Sequence, residues 1–81
     1  MKRMKTVNEI VIDTEYVTLG QFLKMVDIIS SGGQAKWYLA ENDVFVNDEL
    51  EDRRGRKLRH EDIVELPEVG KFIVKDAFLE E

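Results

Sequence analysis

The residues best suited to chemistry form one tract, Arg53-Arg54-Gly55-Arg56-Lys57-Leu58-Arg59, with five cations in seven positions and no acid. Guanidinium groups offer paired N–H donors to phosphate or carboxylate, so such a concentration points to polyanion binding. Gly55 suits a turn that lays a backbone N–H and several guanidinium groups against one anion. The alternative is a solvated loop whose arginines pair with Glu51, Asp52, Glu61 and Asp62. Lys24, on the polar face of a first expected helix, and Lys36, in the first turn of a second, extend the charge. A cation at that end opposes the helix dipole, yet a helix N-terminus with a nearby Lys makes an anion site. Gly32 and Gly33, just ahead of it, permit close backbone approach or let that N-terminus face an anion. Trp37 reads first as an anchor of the helix crossing and second as an exposed platform for a base or ribose.

Catalysis finds no converging set of groups. The single histidine, His60, stands between Arg59 and Glu61 at an expected surface turn. The acids are scattered apart from Asp48-Glu49, Glu51-Asp52 and Glu61-Asp62, and carboxylates need burial or a close partner to become acid–base catalysts. Phosphate-binding glycine loops and EF-hand spacing are missing from the chain, and without cysteine there is no thiolate zinc site, thiol nucleophile or disulfide. No enzyme activity, cofactor or metal is expected.

The 81 residues suit one domain with little room for a deep pocket. The 43% hydrophobic and 36% charged fractions describe a compact soluble protein. Twelve Lys and Arg against 17 Asp and Glu give a net charge of -5, which as a total argues against a polyanionic partner. Its distribution says otherwise: the basic tract carries +5 and the rest of the chain -10. An acidic body with one positive tract attracts a polyanion locally and repels wrong contacts elsewhere. Met1-Lys2-Arg3-Met4-Lys5 precedes no apolar run, and no stretch approaches a membrane span. The expectation is an intracellular, cytoplasmic monomer with no membrane partner.

These cations need elements to hold them. Glu9 to Asp13 reads as a strand. Thr18 and Gln21 have capping-box spacing, with Val17 and Phe22 placed as a hydrophobic staple, and Leu19, Phe22, Leu23, Val26 and Ile29 form an apolar stripe that predicts a helix over 19–29. Ser31 and Gln34 repeat the capping spacing, so a second helix follows at once, turning Ala35, Tyr38 and Leu39 inward and ending at Asn42 in a left-handed conformation. Val44-Phe45-Val46 is a strand, Asn47-Asp48 a two-residue turn and 49–51 a return limb. Ile63 to Leu66 and Lys71 to Lys75 are strands around a turn over 67–70. The pattern is α+β, two short helices on one side of a small, mostly antiparallel sheet. Residues 1–8 read as a flexible extension, 9–76 as the domain and 77–81 as a short tail.

The succession Thr18-Leu19-Gly20-Gln21-Phe22-Leu23-Lys24, Ser31-Gly32-Gly33-Gln34-Ala35-Lys36, Val44-Phe45-Val46-Asn47 and Arg53-Arg54-Gly55-Arg56-Lys57-Leu58 resembles the S4-like RNA-binding domain. More narrowly it is similar to short stand-alone bacterial proteins of the YaaA/YbcJ type. The resemblance spans residues 10–75 and implies an alpha-L motif, two helices and a hairpin whose charged face binds structured RNA such as ribosomal RNA, without catalysis. It places Lys24, Lys36, Arg53, Arg54, Arg56, Lys57 and Arg59 at the RNA, and gives Asn47 a structural part in the turn. The broader family has Arg where this chain has Thr18 and Gly32. The Gly32 form is shared by the narrower group and assigns phosphate contact to backbone amides, with Gly32 and Gly33 as candidates. Asn42, Asp48 and Glu61 stand where that group often has Gly. A protein-interaction module whose basic tract grips an acidic partner is the competing expectation.

Overall fold

A computed structural model describes residues 7–79. The elements in chain order are β1 (Val7–Ile12), β2 (Val17–Thr18), α1 (Leu19–Met25), α2 (Gly33–Glu41), β3 (Phe45–Val46), β4 (Glu49–Leu50), β5 (Lys57–Leu58), β6 (Ile63–Leu66) and β7 (Gly70–Asp76). Five strands form a sheet ordered β1-β7-β6-β3-β4, and β2 pairs with β5 in a separate ribbon. Only β1 and β7 run parallel, from Val7 opposite Lys71 to Ile12 opposite Asp76. The expected α+β architecture is therefore the observed one. Of the extension expected over residues 1–8, residues 1–6 lie outside the described residues, while Val7 and Asn8 already pair in β1.

Strand periodicity decides which face is buried. In β6, Val64 and Leu66 are buried while Ile63 and Glu65 face outward, and in β7 Phe72, Val74 and Asp76 alternate with Lys71, Ile73 and Lys75. The buried side chains of the sheet meet Leu19, Phe22 and Leu23 of α1 and Ala35 and Leu39 of α2 in one core. Phe22 and Phe72 cross edge to face, with centroids 5.5 Å apart, a favoured aromatic geometry.

The first helix starts where capping predicts and stops early. Gln21 N–H donates to Thr18 Oγ1 at 3.2 Å and Thr18 N–H to Gln21 Oε1 at 2.9 Å, a complete capping box. The helix ends at Met25 instead of reaching 29, because Asp27 adopts a left-handed φ of 63°. Asp27 N–H donates to Lys24 O and Ile28 N–H to Leu23 O, the paired bonds of a Schellman motif. Ile29 still reaches the core, so the apolar spacing continues after the helix has ended.

The start of α2 also departs from expectation. Gly32, in helical conformation, takes the N-cap position without a side-chain bond. It is the Gln34 side chain that caps, Oε1 accepting from Ser30 N–H, Ser30 Oγ and Ser31 N–H. At the other end Asn42 is extended, not left-handed, and both its backbone N–H and Nδ2 donate to Tyr38 O.

The turn between β3 and β4 follows its sequence. Asn47 and Asp48 have φ of 52° and 69°, the pair of positive values a type I′ hairpin turn requires. Asn47 Nδ2 donates to Asp62 Oδ1 and Asn47 Oδ1 accepts from Ile63 N–H, so this side chain fastens the hairpin to β6. Glu61 takes a φ of 71°, the conformation for which Gly is suited. Asp76, whose side chain is buried, ends β7, and beyond it Phe78 and Leu79 are exposed.

Candidate nucleic-acid interface

Two sets of backbone bonds hold the basic tract against the start of α1. Arg56 N–H donates to Arg53 O at 3.2 Å, closing a turn around Arg54 and Gly55. The carbonyls of Arg54 and Arg56 then accept from Gly20 N–H at 2.9 Å and Leu19 N–H at 2.8 Å. Amides of a first helical turn have no partner within the helix, and here the tract supplies it. Past the turn, Lys57 and Leu58 pair with Thr18 and Val17, and Leu58 is fully buried. The tract is thus partly a strand with a core anchor, which departs from the alternative of a wholly solvated loop.

One acid organises two of the arginines. The Glu51 carboxylate, 6% exposed, accepts from Arg53 N–H at 3.1 Å, Arg53 Nε at 2.9 Å and Arg56 Nη1 at 2.9 Å. The Arg53 hydrogen bonds pull its pKa from the ordinary value to about 2 against the opposing cost of burial, and Arg56 adds to the lowering. Glu51 in turn raises the pKa of Arg53. Arg53 keeps 74% of its side chain exposed, but Arg56 keeps 28%. Arg56, which the resemblance sets among the cations at the RNA, is thus only half-exposed, with its guanidinium engaged by a buried carboxylate.

Of the acids suggested as partners for the arginines, only Glu51 forms such ion pairs among the described residues. Asp62 accepts from the Arg59 backbone N–H at 2.8 Å, and Glu61 lies 3.7 Å from Lys75. The side chains of Arg54, Lys57 and Arg59 form no ion pair with a described residue. Lys57 Nζ and the Arg59 guanidinium carbon sit 5.0 Å and 5.2 Å from the Tyr16 ring centre, within cation–π reach.

The cations fall into neighbouring depressions. Thr18, Gly20, Lys24, Gly32, Arg54 and Gly55 line one, and Arg53, Gly55, Arg56 and Lys57 the next. Lys24 also borders a larger depression beside Tyr16. Lys36 lies elsewhere, with Glu51, Asp52 and Asp43, so the fold sets it among acids. Gly33 opens α2 beyond Gly32, and a Cβ at either glycine would meet nothing within 4 Å. His60 is half-buried instead of lying on an exposed turn, and its Nδ1 accepts from Asp76 N–H at 3.0 Å. Trp37 is 66% exposed, which removes the core-anchor reading.

A family model for the S4 domain matches residues 10–75. The chain belongs to the S4 domain family. A Bacillus subtilis (strain 168) protein named "Probable ribosome maturation protein RlbA" is 60% identical over 67 residues, covering 83% of this chain and 94% of that protein. Within this S4 domain, sequence reasoning missed Tyr16, while Glu51 was one of four acids weighed as partners for the arginines and is the one that pairs with them among the described residues. What the sequence did not show is that Glu51 is buried and engages Arg53 and Arg56 together. Tyr16 carried no local hint, because its cations arrive from β5, about 40 residues on. No described helix is long and apolar enough to cross a membrane, and no described cluster of three or more His, Asp or Glu forms a metal site.

Proposed function

We propose that this S4 domain binds structured RNA, ribosomal RNA or RNA of a maturing ribosome, without catalysing a reaction. The protein acts in this reading as a cytoplasmic monomer. Lys24, Arg53, Arg54, Lys57 and Arg59 supply the cations, Gly32 and Gly33 supply backbone amides, Arg56 supports the loop from within, and Lys36 takes a peripheral place. One observation carries the reading. The backbone of the basic tract is bonded to the first turn of α1 while Arg54, Lys57 and Arg59 stay exposed. Ordering the backbone that carries those cations is a cost already met in folding, so less entropy is lost when phosphates dock. A folded RNA is then recognised mainly by phosphate spacing and shape. The ribosome maturation named for the Bacillus relative supports RNA of the ribosome as the class of partner.

The test is titration of ribosomal RNA at several salt concentrations. About five phosphate contacts give a log–log salt slope of roughly -3.5 to -4.5. Absence of binding, with retention of an acidic protein that survives nuclease treatment, would transfer the tract to the protein-interaction reading.

A further inference from the structure

The larger depression beside the basic surface has a composition that phosphate binding does not use. Its volume is about 710 Å³, within the range of about 300–1,000 Å³ of sites for small organic groups. Val11, Val17, Tyr16 and Met25 give it apolar walls, and Asp13 and Lys24 stand at its border. Tyr16 is 37% exposed and Met25 is also exposed, and two such side chains lining one depression make a contiguous apolar surface of the kind that marks an interaction site.

Two relationships say what covers it. The depression is continuous with the cationic surface, since Lys24 and Gln21 line both it and the depression holding Arg54 and Gly55. Its aromatic wall is also flanked by Lys57 and Arg59, each about 5 Å from the Tyr16 ring centre. An apolar, aromatic-walled recess with Lys24 in its lining and Lys57 and Arg59 beside its tyrosine matches a group that is itself flat and apolar on its faces yet attached to phosphate. A nucleobase is such a group. Resting on the RNA-binding reading, we infer that this recess takes one unpaired base turned out of its helix, stacked against Tyr16 and Met25, while Lys24, Lys57 and Arg59 hold the adjoining phosphates. The Asp13 carboxylate only accepts hydrogen bonds, so it favours a base edge that donates N–H. Thr14 Oγ1 donates to Tyr16 O at 2.9 Å and steadies the segment that presents the ring.

The experiment compares three RNA hairpins of equal length and charge: one with a single bulged guanosine, one with an abasic nucleotide at the bulge, and one fully paired. The bulged hairpin is expected to bind at least fivefold more tightly than the abasic one, the range for base stacking on an aromatic side chain. Tyr16→Ser is expected to abolish that difference while the paired hairpin still binds with a steep salt slope. Met25→Asn, at an exposed position, gives a second reading independent of the tyrosine. Equal affinity for bulged and abasic hairpins overturns the base site and leaves the recess to an apolar side chain of a protein partner. If it is found while all three hairpins still bind with a steep salt slope, the RNA-binding reading survives. If no hairpin and no ribosomal RNA binds, both readings fall together.

Discussion

Arg56 Nη1 lies 2.9 Å from Glu51 Oε1, and this contact divides the basic tract by role. Arg56 faces inward to a buried carboxylate while its backbone carbonyl takes the Leu19 amide at 2.8 Å. Its neighbour Arg54 also offers a carbonyl to α1 but sends no guanidinium to an acid among the described residues.

Alanine at these two neighbours is therefore expected to have opposite signatures. Arg56→Ala loses a charged hydrogen bond to a buried group and should cost about 1.5–3 kcal/mol of stability. Arg54→Ala should leave stability within about 0.5 kcal/mol and reduce the RNA salt slope by about 0.7–0.9. Denaturant melts and salt titrations on both proteins measure the separation; equal stability losses would contradict it.

Glu51 makes stability depend on acid. Its folded pKa, about 2, is below the ordinary 4.5, so folding favours the charged form. The contribution is fully present above about pH 4.5 and is lost as pH falls toward 2. Glu51→Gln should lower stability at pH 7 by about 1–3 kcal/mol and flatten the pH dependence in that window. Thermal melts from pH 2 to 6 test this, and parallel curves for the two proteins would rule out Glu51 as the source.

At the end of α1, Asp27 holds a left-handed conformation with a negative charge near the carbonyl end of the helix. Both features are unfavourable. Asp27→Gly should stabilise the protein by about 0.5–1 kcal/mol after the added chain entropy of glycine is deducted, raising Tm by roughly 2–8 °C. A fall in Tm would show that the Asp27 side chain contributes more than its backbone costs.

Trp37 points away from the core, with Ala35 and Leu39 on the opposite, buried side of α2. Trp37→Ala should change stability by less than about 0.5 kcal/mol. A loss of several kcal/mol in a denaturation curve would restore the anchor role.

The elements legible in sequence were those specified by neighbours. The Thr18–Gln21 box, the Asn47–Asp48 turn and the alternation of β6 each depend on residues within a few positions, where sterics and local hydrogen bonds decide the outcome. Local signals were weaker at helix ends: Val26 and Ile29 continue an apolar stripe that a Schellman turn also satisfies, and Gln34 displaced Ser31 as the cap.

The site divides along the same line. The sequence alone determined that positive charge is concentrated over Arg53 to Arg59 within an acidic chain, because charge is a property of residue type. Which cations remain available was decided only when the chain folded. Burial of Glu51 drew the Arg56 guanidinium inward and fixed Arg53 while leaving it exposed, β2–β5 pairing carried Lys57 and Arg59 to Tyr16, and α2 placed Lys36 near Glu51 and Asp52. Such contacts depend on desolvation and on distances between segments far apart in the chain, quantities that exist only in the assembled tertiary structure.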